Sequence, residues 1–199
     1  DLDPHRAEFH LYVGLAALEA GRILQAQAAL KRALELDQSL ADAYWQRGVL
    51  RYRQGQVKDA VADLERALEL RPSRFEAHAA LADAYLDLQQ EERAVGEWAK
   101  AIESDPDNPL WRFRYGKILA ARGQLDAAQL QLAKAIELAG AAKPSPAWLW
   151  EAHMLLARSL GSSPRAVEHW VEFLRACPQD NPYKGEAKAA LKRLGTGIR

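Results

Sequence analysis

Apolar and small residues recur along this chain on a fixed step of 34 positions. Ala26, Ala60, Ala94 and Ala128 keep that step, as do Leu30, Leu64, Trp98 and Leu132, and Ala33, Ala67, Ala101 and Ala135. Gly21, Gly55, Gln89 and Gly123 form a fourth track with the same period. Four tracks on one period mark a stack of repeated units. The stretch 41–74 shows the content of a unit. Small residues at Gly48 and Ala60 let two helix backbones approach closely, and Leu64, Leu68 and Leu70 fill the space around that contact. Gly55 falls where the first helix must stop, because glycine accepts the left-handed conformation that ends helices. Each unit is thus a helix pair that cannot bury its apolar face alone.

The period organises the chain as follows. Residues 1–6 read as the tail of an upstream repeat, since Leu2-Asp3-Pro4 stands where Leu70-Arg71-Pro72 closes a later one. Repeats are expected over 7–40, 41–74, 75–108 and 109–139. In the third, Gln89 replaces the turn glycine, which predicts a looser turn. The step then lengthens: Gly161 lies 38 residues beyond Gly123, which places an inserted loop at 140–146. Ser145-Pro146 is expected to cap the next helix, starting near Ala147. A degenerate fifth repeat covers 147–180, with Met154 in the small slot and Phe173 in place of alanine. Residues 181–199 form a last helix and tail. Its stripe of Ala187, Ala190, Leu191 and Leu194, opposite Lys184, Glu186, Lys188, Lys192 and Arg193, suits a polar-faced cap.

This spacing resembles the tetratricopeptide repeat (TPR), W-x2-L-G-x2-Y…A-x3-F…P. Gly14, Gly48, Ala82 and Gly116 fill its small slot. Ala26/Leu30, Ala60/Leu64, Ala94/Trp98 and Ala128/Leu132 supply the Ala-x3 pair, and Pro72 and Pro106 the closing proline. The resemblance implies an all-α fold, a right-handed α-solenoid of antiparallel helix pairs ending in a capping helix. It further implies protein binding on the concave wall lined by the first helices. Carried over position by position, that wall includes Leu11 and Leu15 in the first repeat, and Trp45, Val49, Tyr52 and Arg53 in the second. The third contributes Asp83, and the fourth Phe113 and Lys117. Co-chaperone members clamp a terminal carboxylate with Lys and Asn. The matching places here are Leu11, Leu15, Trp45 and Val49, so that use is not expected.

Composition narrows the field. Lys plus Arg number 27 and Asp plus Glu 27, for a net charge of zero. General nucleic-acid binding wants a basic excess, so no nucleic-acid partner is expected. One cysteine, Cys177, rules out a disulfide framework or a Cys-rich zinc site. No apolar run is long enough to cross a membrane. The compartment stays open: cytoplasm is favoured and periplasm allowed. The Ala, Leu and Arg bias points to a bacterial source, and the opening residues Leu2-Asp3-Pro4 to a segment of a larger scaffold.

Candidate chemistry is sparse. His5, His10, His78, His153 and His169 show no ligand spacing, and no phosphate-loop, dinucleotide or nucleophile-elbow motif is present. No cofactor, metal or catalytic residue is expected. Arg47 and Arg51 stand out, an i, i+4 pair in slots filled elsewhere by Leu81, Tyr85, Tyr115 and Leu119. A cation there is costly unless paired. Either the two pair with a carboxylate such as Asp63, or they reach a carboxylate of a partner. The chain therefore reads as a non-catalytic protein-protein interaction scaffold, a part of a larger assembly. The alternatives are self-association through the C-terminal end, aided by Trp148, Trp150 and the inserted loop, or a regulatory array attached to an enzyme.

Overall fold

A computed structural model describes residues 6–140 and 144–196. Residues 1–5 of the upstream tail expected over 1–6, residues 141–143 of the inserted loop and the last residues 197–199 lie outside the described part. The described residues form eleven helices and no strand. They fall into two compact units, one ending at Ser104 and one beginning at Asp105.

The first unit contains α1 (Ala7–Glu19), α2 (Ile23–Leu36), α3 (Ala41–Arg53), α4 (Val57–Leu70), α5 (Phe75–Asp87) and α6 (Glu91–Ser104). Each odd helix packs on the even helix that follows, and α1, α3 and α5 also touch in succession. The residues of the period-34 tracks sit at these contacts: Ala26, Ala60, Ala94, Leu30, Leu64 and Trp98 are all fully buried. Glycine in the small slot has a measurable cause. A Cβ at Gly14 would lie 3.0 Å from Leu30 Cγ, and one at Gly48 would lie 2.9 Å from Leu64 Cγ. The third pair has Ala82 in the small slot and Trp98 in the large one, both fully buried.

The turns within pairs share one geometry. At Gly55, φ is +77°, its N–H donates to Tyr52 O, and Gln56 N–H donates to Arg51 O. The turn at Gln89 is not looser, contrary to expectation. Gln89 takes φ of +59°, its N–H donates to Leu86 O at 2.9 Å, and Gln90 N–H donates to Tyr85 O at 2.8 Å. The two hydrogen bonds of the helix end hold the left-handed residue in place although its side chain disfavours it.

The second unit contains α7 (Pro109–Ala121), α8 (Leu125–Ala139), α9 (Leu149–Leu160), α10 (Ala166–Ala176) and α11 (Lys184–Arg193). Asn108 caps α7 by accepting from Trp111 N–H, and Pro109 occupies the first turn. Gly116 repeats the tight contact, with a Cβ position 2.8 Å from Leu132 Cγ. The start of α9 corrects the sequence expectation. Ser145 does not cap it; Leu149 N–H donates to Pro146 O, and this turn delays the helix until Leu149. The α9/α10 contact is built on large residues, with Met154, Trp170 and Phe173 in one cluster with Cys177, Ala187 and Leu191. Of the expected α11 stripe, Ala187, Ala190 and Leu191 are buried and Leu194 packs against the same cluster.

Candidate interaction surfaces

The residues flagged for partner binding separate into three groups. Trp45, Val49 and Tyr52 occur at i, i+4 and i+7 of α3, a spacing that places them on one helix face. All three are half-buried, and Arg53 beside them is exposed. Leu15 on α1 and Asp83 on α5 are also half-buried, so these side chains keep surface available on three helices that touch in succession. Arg74 frames this face. Its guanidinium lies 4.1 Å from the centre of the Trp45 ring and bonds Asp42, which also accepts from Arg71 at 3.0 Å. The chain segment before α5 is thereby tied to the start of α3.

Two flagged residues are core residues instead. Leu11 is 6% exposed and clusters with Leu34 and Ala43. Phe113 is 5% exposed, and its ring stacks on Trp148 with centroids 4.8 Å apart. In the second unit Lys117 is exposed, and its Nζ lies 2.7 Å from Glu151. Trp148 and Trp150, read as aids to self-association, are both engaged inside this unit, Trp148 on Phe113 and Trp150 on Phe173.

Arg47 and Arg51 converge on Asp63. Arg47 donates from Nε to Oδ2 at 2.8 Å and from Nη2 to Oδ1 at 2.7 Å. Arg51 donates from Nη1 to Oδ2 at 2.7 Å. Asp63 is 4% exposed, so two guanidinium groups hold one buried carboxylate. The bond to Asp63 raises the Arg47 pKa above its ordinary value, against the opposing effect of burial.

This bridge belongs to a series that the apolar period conceals. The residue just before each large second-helix residue is polar from the second pair onward: Asp63, Glu97, Gln131 and His169. Each is bonded across its own helix pair. His78 Nδ1 meets Glu97 Oε2 at 2.5 Å, Arg112 Nη1 donates to Gln131 Oε1 at 2.7 Å, and His153 Nδ1 meets His169 Nδ1 at 3.1 Å. Burial pushes the Glu97 carboxyl up, but the bonds from His78 and Lys100 outweigh it and hold its pKa below the usual value. Burial lowers both members of the histidine pair, reinforced at His153 by the neighbouring His169. Reading the sequence for a polar track, one position ahead of Leu64, Trp98, Leu132 and Trp170, finds all four.

Among the described residues, no three His, Cys, Asp or Glu side chains group as metal ligands would. None of the described helices is long and apolar enough to cross a membrane.

Stacked helix pairs with a glycine-on-leucine contact and a left-handed turn define a repeat protein of the helix-pair class. The family is tetratricopeptide repeat: its model matches residues 13–75, 46–109 and 79–146, and the chain belongs to that family. Solved structures agree in fold. The chain is similar to YrrB, described as a TPR protein with an unusual peptide-binding site, at 23% identity and a TM-score of 0.78, covering 96% of this chain and 94% of that one. It is also similar to MamA, at 25% identity and a TM-score of 0.63 over 68% of this chain and 80% of that one. A MamA from Desulfovibrio magneticus RS-1 gives 19% identity and a TM-score of 0.72, over 91% and 100%. None of the curated proteins matches the chain in sequence.

Proposed function

We propose that this chain is a non-catalytic interaction scaffold that holds a protein or peptide segment on the first-helix face of its N-terminal unit. The observation that carries the reading is the half-buried row Trp45, Val49 and Tyr52 on α3, with the exposed Arg53 at its edge. Tryptophan, tyrosine and arginine are the residue types that most often anchor interfaces. A ring that is partly exposed and backed by Arg74 offers apolar area at little entropic cost, because its position is already fixed. Leu15 on one side adds apolar surface, and Asp83 on the other adds a charge that orients a bound segment. The peptide-binding site described for YrrB supports the same class of ligand here. In the second unit, Lys117 is the flagged residue that keeps exposed surface.

The test compares the wild-type chain with a Trp45→Ala, Tyr52→Ala variant of matched helicity. Each is used to capture partners from a lysate of the source organism. We expect a protein captured by the wild type to be lost by the variant. Equal capture by both would move the binding face elsewhere.

A further inference from the structure

The opposite side of α3 carries a second recognition site. A helix turns about 100° per residue, so Arg47 and Arg51 project roughly 200° away from Trp45 and Val49. On their side is a cavity of about 280 Å³ lined by Gln27 and Lys31 of α2, Arg47, Leu50 and Arg51 of α3, and Gln56 before α4. Three cations therefore converge on one small space: Lys31, Arg47 and Arg51.

Cations outnumber carboxylates in the ion pairs at this place, with Lys31, Arg32, Arg47 and Arg51 against Glu35 and Asp63. Asp63 accepts from both arginines, so one negative charge stands against two positive ones. Arg51 Nη1 also reaches the backbone oxygen of Asp59 at 3.5 Å. The Lys31 ammonium lies 3.9 Å from Glu35, whose carboxylate is also bonded by Arg32 at 3.1 Å. Gln27 donates its side-chain amide to Gln54 Oε1 at 2.9 Å.

The arginines are also held in position. Asp63 is buried and fixes Arg47 by two bonds and Arg51 by one. Both guanidinium groups are thus held by the fold before any ligand arrives. Fixed guanidinium groups are the preferred receptors for carboxylates, because planar donors match planar acceptors. The cavity falls below the size of pockets that enclose whole small molecules. It suits the end of one acidic side chain.

We propose that this pocket binds the carboxylate of an Asp or Glu side chain presented by a partner protein segment. Arg51 and Lys31 make the contacts, and the Arg47–Asp63 pair holds Arg51 in place. The site differs from the α3 face above and stands or falls separately, since the residues of the two tests do not overlap.

The experiment uses a hexaglutamate peptide with both ends blocked, and inorganic phosphate as a separate probe. Binding is followed through the arginine Nε–H resonances of Arg47 and Arg51 in the full chain. The variants are Lys31→Gln and Arg51→Gln, both of which leave the Arg47–Asp63 pair in place, with helicity as the folding control. We expect hexaglutamate to shift both arginine signals. Each variant should weaken its binding about tenfold, as loss of one charge-assisted contact does. Added salt should weaken wild-type binding further. Unmoved arginine signals, or equal binding by wild type and both variants, would overturn the proposal. So would a response to phosphate with none to hexaglutamate, which would make the pocket a phosphate site.

Discussion

The α3/α4 and α9/α10 helix pairs occupy matching places in the repeat and solve the same contact in opposite ways. In α3/α4 the small slot is Gly48, closed directly over Leu64, and the cross-bridge is a buried ion pair. In α9/α10 the same slot is Met154, packed with Trp170 and Phe173, and the cross-bridge is two histidines. Backbone proximity in the first is exchanged for side-chain volume in the second. The fold tolerates either, provided that slot and counter-slot change together.

Exchanging the slot residues breaks the comparison most sharply. Met154→Ala should cost about 2–5 kcal/mol, the range for emptying a buried methionine site. Gly48→Met should cost about 3 kcal/mol, because the added side chain must displace Leu64. Chemical denaturation of each variant reads both values. A neutral outcome for Gly48→Met would show that α3 and α4 can part far enough to admit a methionine side chain.

Removing a bridge comes next. Arg47→Gln leaves Asp63 buried with Arg51 alone, and we expect a loss of about 2 kcal/mol, below the full cost of breaking a buried pair because Arg47 keeps some solvent contact. His169→Gln should cost less than 1 kcal/mol at neutral pH, since an amide can still bond His153.

Acidity should then separate the two pairs. Both histidine pKa values lie below the usual 6.5 because burial disfavours the charged ring. The unfolded chain therefore binds more protons in that range. Their contribution is complete above 6.5 and declines as pH falls through the lowered folded values. The charges acting on the pair are Glu168, Glu172 and Arg165, all near or within α10. Those of neighbouring helices are engaged elsewhere: Lys117 of α7 with Glu151, Lys134 of α8 with Glu137, and Glu186 of α11 with Arg158. In the first unit the lowered carboxyl of Glu97 contributes fully above its usual 4.5 and fails only as pH falls below that. Amide exchange corrected for intrinsic rate should show α9/α10 opening between pH 7 and 5 while α5/α6 stays closed. His169→Gln should remove most of that difference.

The smallest expected effect is at the turns. Gln89→Gly should stabilise the chain by about 0.5–1 kcal/mol, because glycine accepts a positive φ that glutamine disfavours. Thermal melting of the pair of proteins measures it.

Most of the architecture is legible in the sequence. The period located the buried alanines and leucines, because those positions depend only on contacts that recur in every unit. The left-handed turn at Gln89 was misread from residue type, since the backbone bonds of a helix end override one side chain's preference. Candidate site residues transferred less well. Phe113 is covered by Trp148, which follows the insertion where the period breaks, so no repeat pattern could show it. Leu11 is drawn into the core by Leu34 and Ala43. The Arg47 and Arg51 conflict points to Asp63, whereas the histidine pair shows no metal-ligand spacing and is marked only by the polar track.

The most direct measurement places a photo-crosslinking residue at Tyr52, and in a second protein at Glu103, exposed near the end of α6. Both are irradiated in cells of the source organism. A scaffold that binds through the α3 face should form a discrete adduct with a partner from position 52 and none from position 103. An adduct from position 103 alone would contradict that central claim.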